Sequence, residues 1–140
     1  MTTALPPPRL IAAVAVGGAV GAVARWGLTE VFPADADAFP WSTFAINVAG
    51  AFLLALLPAA ARVRDNRTLA VGLGPGVLGG FTTLSAYSEQ SRALLDAGHV
   101  ALASTYLVAT LGACLVAVLV ADRWSTALER GIFAGEGGDE

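Results

Sequence analysis

Four apolar stretches long enough to cross a bilayer follow one another along the chain, separated by short polar segments. They run from about residue 10 to 31, 42 to 61, 69 to 95 and 100 to 121. The hydrocarbon core takes about 20 residues of α-helix to cross, so each stretch predicts one transmembrane helix. The segment between the first two carries Glu30, Asp35 and Asp37 with Pro33 and Pro40. The next carries Arg62, Arg64 and Arg67, and Asp96-Ala-Gly-His99 is a tight turn. Residues 1–9, with three consecutive prolines, predict an extended lead-in. Residues 125–140 predict a polar tail ending in a flexible Gly/acidic run, in which Leu128 and Ile132 suggest a short interfacial helix. The expectation is an all-α integral membrane protein with a single four-helix domain over residues 1–140.

The third stretch departs from its neighbours. Gly74-Pro-Gly-Val-Leu-Gly-Gly-Phe-Thr-Thr lies in its middle. Glycine and proline are poor helix formers, so Gly79-Gly80 followed by Thr82-Thr83 predicts a helix broken near residues 79–83. At membrane depth a break frees backbone groups that lipid cannot satisfy. It is tolerated only where it is buried in protein or lines an aqueous path.

Composition agrees with a membrane protein. Of 140 residues, 56% are hydrophobic and 14% charged, against about 25% charged in soluble domains. Mean hydropathy is +0.68. All eight basic residues are arginine and the net charge is −3. No basic cluster interleaves with aromatics, which argues against nucleic-acid binding. One cysteine and one histidine make no zinc-type site and no internal disulfide. Arg9, an apolar run and Ala22-Val-Ala24 loosely match a cleavable signal. Cleavage, however, would discard a glycine-rich packing face.

With four spans, both termini share a side with the arginine loop. Arg9, Arg62, Arg64, Arg67, Arg123 and Arg130 belong to that side, and Arg25 and Arg92 to the other. The excess predicts cytoplasmic termini.

Few polar side chains fall within the spans. Gly17 and Gly21 have the small-xxx-small spacing that lets another helix approach, and small-residue faces of this kind predict association with a second subunit. Arg25, one turn further, either faces a wet interior or snorkels to the interface. Asn47 either bonds helices together or faces a pore. Ser85, Ser88, Glu89 and Arg92 share roughly one face after the break. The two charges either line a wet surface or pair at the helix end. Tyr106, Thr110 and Cys114 recur every four residues along one face of the last span. For Cys114 the simpler role is a small buried hydrophobe.

Gly17-Gly-Ala-Val-Gly-Ala-Val-Ala-Arg25, Asn47-Val-Ala-Gly50 and Gly79-Gly-Phe-Thr-Thr-Leu-Ser-Ala-Tyr-Ser88 resemble the Fluc (CrcB) fluoride channels of bacteria, over all four spans and in order. The resemblance implies an antiparallel, dual-topology dimer in the bacterial plasma membrane that passively exports toxic cytoplasmic fluoride without catalysis. It implies two fluoride paths, with Asn47, Leu84, Ser85, Tyr87, Ser88, Tyr106, Thr110 and Cys114 as pore positions and Arg25 at a vestibule. It also implies a structural sodium ion at the dimer interface, held by backbone carbonyls of Gly79 and Thr82.

The chain departs from the family pattern at several positions. Leu84 stands where the family has the first of two pore aromatics. Gln90 stands where it often has Glu, and Val118 follows the polar track. With the arginine asymmetry, these departures suggest a heterodimer with a related subunit of opposite orientation rather than a homodimer. Two rivals are a small multidrug-type four-helix antiporter and a non-conducting accessory subunit. The antiporter needs a membrane-embedded carboxylate, which the first span lacks before Glu30.

Overall fold

A computed structural model describes the backbone of residues 5–35 and 37–136, and the side chains among these up to residue 125. The described residues are all helical or loop, with four helical runs long and apolar enough to cross a membrane. Helix α1 is Pro8–Val31, with proline in its first turn, where a missing N–H costs nothing. Helix α2 is Trp41–Leu56, and a 3-10 turn at Leu57–Ala59 ends that span. Two short helices, α3 (Ala61–Arg64) and α4 (Arg67–Val71), carry the chain round the arginine loop. The side chain of Asn66 caps α4, accepting from the N–H groups of Thr68 and Leu69 at 3.0 and 3.1 Å.

The third span is built from pieces. After α4 the backbone widens into a π-helical segment, Gly72–Leu78, with Pro75 inside it, and tightens again in α5 (Gly79–Phe81). It breaks at Thr82 and Thr83, both extended, with φ/ψ of −74°/157° and −148°/115°. Helix α6 (Leu84–Asp96) then resumes. The break therefore falls within the expected 79–83 but is narrower, confined to its last two residues. Gly79 itself is helical, with φ −65° and ψ −36°.

The glycines serve close approach instead of breaking the helix. A Cβ at Gly17 would collide with the Gly72 carbonyl, one at Gly21 with the Val77 carbonyl, and one at Gly80 with the Gly18 carbonyl. The Gly17/Gly21 face is thus consumed inside the chain, where α1 packs on the π-helical segment and α5, rather than being left for a second subunit.

Gly98, at φ 82°, reverses the chain after α6. Helix α7 (Val100–Glu136) runs on past the expected end near residue 121. The first part of the expected polar tail is therefore helical backbone. Residues 1–4 and 137–140, and the side chains of Leu128 and Ile132, lie outside the described residues. Helix α7 packs against α2 and α6. Leu94, Ala103 and Tyr106 form a buried cluster there, with Phe39, Phe44, Tyr87 and Leu102 packed on it. Phe39 reaches in from the α1–α2 connection and meets the Tyr106 ring edge-on, centroids 5.2 Å apart. At the other end Trp124 packs edge-on against Phe52 at 5.8 Å.

Candidate functional site: a cleft at the helix break

Thr83 cannot continue the helix, and Asn47 of α2 takes over its backbone. The Asn47 Oδ1 accepts from the Thr83 N–H at 2.8 Å, and its Nδ2 donates to the Thr83 carbonyl at 3.0 Å. One amide thus satisfies both groups of the broken residue, and one Nδ2 hydrogen is left over. Thr83 in turn caps α6. Its Oγ1 accepts from the Ala86 N–H at 3.0 Å and lies 3.2 Å from the Ser85 hydroxyl. The Thr82 hydroxyl donates back to the Leu78 carbonyl at 2.9 Å. Gly50, one turn beyond Asn47, makes room for this. A Cβ there would strike the Thr82 methyl.

Beside the break lies an open cleft of about 330 Å³, walled by α2, α6 and α7. Asn47, Thr82, Leu84, Tyr87, Thr110 and Cys114 line it, together with Ala51, Leu54, Thr83 and Leu111. Five of the eight residues proposed for the pore are therefore brought together: Asn47, Leu84, Tyr87, Thr110 and Cys114. Asn47 bonds two elements and also lines the cleft. Tyr87 also lines the cleft, but its hydroxyl donates to the Leu107 carbonyl at 2.9 Å. What it offers the opening is its ring.

The other three stand apart from the cleft. Ser85 and Ser88 are exposed on α6. Tyr106 is fully buried one turn from Thr110, its ring 5.3 Å from that of Tyr87, and its hydroxyl donates to Gln90 Oε1 at 2.9 Å. Arg25 is half-buried against the break rather than in the cleft, its Nε donating to the Gly80 carbonyl at 3.2 Å. Arg92 lies between Glu89, at 2.6 Å, and Asp96, so these charges pair along the exposed face of α6.

Among the described residues, the hydroxyls of Thr110 and Thr43 are buried without a hydrogen-bond partner. Buried polar atoms are nearly always satisfied, and an unsatisfied one costs about 1–3 kcal/mol, so each exception asks for a role. Thr110 lines the cleft. Thr43 lies beside Tyr106, one turn before Asn47 on the same face of α2. Sequence reasoning missed Thr43, and it named Thr83 and Gly50 only as motif residues without a role. The four-residue spacing of Thr43 and Asn47 was the available signal.

Among the described residues no group of three or more His, Cys, Asp or Glu could hold a metal ion. Any cation bound at the break would rely on backbone oxygens. The Gly79 carbonyl is a donor of that kind. Thr83, four residues on, gives its N–H to Asn47 instead.

A multi-pass membrane protein whose third helix is interrupted beside a largely apolar cleft, with a few polar groups in its wall, is the class that fold and site define. The matching family model is described as CrcB-like protein, Camphor Resistance (CrcB), and covers residues 12–121. The chain belongs to this family. It is similar to "Fluoride-specific ion channel FluC" of Geobacter sulfurreducens, 45% identical over 76% of this chain and 88% of that protein. It is also similar to "Fluoride-specific ion channel FluC 2" of Nocardia farcinica, 36% identical over 90% of this chain and 95% of that protein. "Fluoride-specific ion channel FluC" of Agrobacterium fabrum is 38% identical over 88% and 98%.

Proposed function

We propose that this chain is a subunit of a fluoride channel that lets the ion leave the cytoplasm passively, without catalysis. The observation that carries the reading is the cleft at the helix break, whose wall holds both Asn47, with an amide hydrogen to spare, and Thr110, whose buried hydroxyl has no partner. A small anion gives up its water only if donors replace it, and it passes on only if none holds it too firmly. The Asn47 amide and the Thr110 hydroxyl supply neutral donors. The Cys114 thiol supplies a weaker one, and the Tyr87 ring a weakly positive edge. Tyr106 and Thr43 extend the hydroxyl row beyond the cleft. Among the described residues no carboxylate lines the cleft, which counts against a proton-coupled antiporter.

The cleft is open on one side, and Leu84 at its rim is 76% exposed. A second subunit in antiparallel orientation would close it into a path and place two broken helices face to face. The carbonyls of Gly79 and Thr82 would hold a sodium ion between them, fixing the two subunits together. A hard cation takes oxygen ligands of this kind from unwound backbone. The arginine asymmetry and Leu84 favour a related subunit over a second copy, with this chain's termini in the cytoplasm of a bacterial plasma membrane. Fluoride efflux from proteoliposomes, read with a fluoride electrode, tests the reading. Chain plus partner should release fluoride and not chloride, and Asn47→Ala should lower the rate at least tenfold. Equal fluoride and chloride release would overturn it.

A further inference from the structure

The helical run from Arg67 through Phe81 ends where Thr82 and Thr83 turn extended, so its last carbonyls lose the N–H groups that would follow them in a helix. Two consecutive rungs of that ladder are affected. In an unbroken helix the Gly79 carbonyl would accept from the Thr83 N–H, and the Gly80 carbonyl from the Leu84 N–H. On the first rung a side chain takes the donor, since the Asn47 Oδ1 accepts the Thr83 N–H at 2.8 Å. On the second a side chain takes the acceptor. The Arg25 Nε, from 55 residues earlier in the chain, donates to the Gly80 carbonyl at 3.2 Å. Close packing makes this reach possible. Gly18 and Gly21 bring α1 against Val77, Gly80 and Phe81. Arg25 stands one turn further along α1, and a helical side chain leans back toward the N-terminus of its own helix, here toward Gly80.

We propose that Arg25 is a positioning residue: together with Asn47 it holds the third span open, by occupying the Gly80 carbonyl that the Leu84 N–H would otherwise claim. The two side chains act on adjacent rungs, one removing a donor and the other an acceptor, and a continuous helix would leave no place for either bond. The charge of Arg25 suits its place, because a cation is favoured at the carbonyl end of a helical run and can bond its last carbonyls. Among the described residues no carboxylate pairs with Arg25. Depth gives the bond its weight. Arg25 lies roughly 9 Å before the end of α1 at Val31, and lipid offers no donor to an unpaired carbonyl. Without the guanidinium, the Gly80 carbonyl would draw the Leu84 N–H back and pull Thr82 and Thr83 toward helical backbone. Thr82, Thr83 and Leu84 form part of the cleft wall, so healing the helix would deform it. Arg25 then supports the path instead of attracting anions at its mouth. The consequence for fluoride rests on the channel reading, whereas the conformation of the break does not.

Solid-state NMR of the full chain in bilayers, with isotope-labelled threonine, reads the break directly, because adjacent threonines occur only at 2–3 and 82–83. In the unmodified chain the second pair should show extended Cα and Cβ shifts. Arg25→Met keeps the length and removes the donor, and it should give the pair a helical population. Arg25→Gln should do so to a smaller degree and keeps the test alive if Arg25→Met does not fold. Arg25→Lys can still donate to the Gly80 carbonyl and should keep the extended shifts. Helical circular dichroism confirms that each variant is folded. In proteoliposomes with the partner subunit, Arg25→Met should lower fluoride efflux at least fivefold at every fluoride concentration. Extended shifts unchanged in both Arg25→Met and Arg25→Gln overturn the proposal, as do shifts lost in Arg25→Lys as fully as in Arg25→Met. So does an efflux loss that high fluoride restores, which is the behaviour of a residue that only gathers anions. Threonine shifts that move as described, with no fluoride efflux from the unmodified complex, would overturn the channel reading and leave the role of Arg25 at the break standing.

Discussion

Thr110 separates function from stability more cleanly than any other residue of the cleft. Its hydroxyl is buried without a partner, so Thr110→Val removes an unpaid desolvation cost while keeping the shape. The variant should unfold at the same temperature or a few degrees higher, yet fluoride efflux should fall at least tenfold. A loss of both together would mean that the hydroxyl has a structural partner instead. Asn47 behaves in the opposite way. Asn47→Ala strips both bonds from the Thr83 backbone and leaves two buried polar groups exposed to apolar surroundings. Beyond its loss of efflux, it should cost about 2 kcal/mol, read as a lowered unfolding midpoint in detergent. At this scale the sequence was partly legible. Asn47, Thr110 and Cys114 stood out because polar side chains in apolar spans need a reason. The role of Thr83 was not legible, because the partner of its backbone is 36 residues away.

At the level of elements, the third span breaks where the sequence suggests, but on only part of the stretch that suggested it. Gly79-Gly80 followed by Thr82-Thr83 marked where the helix would fail. Pro75 is instead accommodated by widening to a π-helix, and Gly79–Phe81 remain helical. The glycines are needed because α1 lies against that backbone, and only contacts distant in sequence reveal this. The failure falls on Thr82 and Thr83, where Asn47 and the Thr83 hydroxyl supply the bonds a helix would have given. This makes glycine substitutions position-specific. Gly21→Ala drives a methyl into the Val77 carbonyl and should destabilise by about 1–3 kcal/mol, through shifted backbone. Gly27→Ala, on the same helix with nothing within 4 Å, should be neutral or stabilising by about 0.5–1 kcal/mol. Thermal unfolding of the pair checks it. Equal effects would mean that α1 does not pack on the third span as described.

For the whole molecule, the question is which way round the chain sits. Arg62, Arg64 and Arg67 stand at one end with Arg9 and Arg123. The opposite end has Arg92, paired with Glu89 and Asp96, and an acidic connection whose Asp37 bonds His99 at 3.0 Å. Arginine near span ends governs insertion, and acids contribute little, so pairing at the far end does not offset the asymmetry. A subunit that formed the channel with a copy of itself would have to insert both ways in comparable amounts. This chain should insert one way only. The check is a membrane-impermeant maleimide applied to intact cells carrying single cysteines in a Cys114→Ser background. Ala34→Cys, in the acidic connection, should be labelled at once. Asn66→Cys, in the arginine loop, should be labelled only after the membrane is opened. Labelling both sites from outside in similar yield would show dual insertion, make a homodimer sufficient, and remove the argument for a related partner. One-sided labelling, joined to efflux that appears only when a subunit of opposite orientation is co-expressed, would establish the chain as half of a pair.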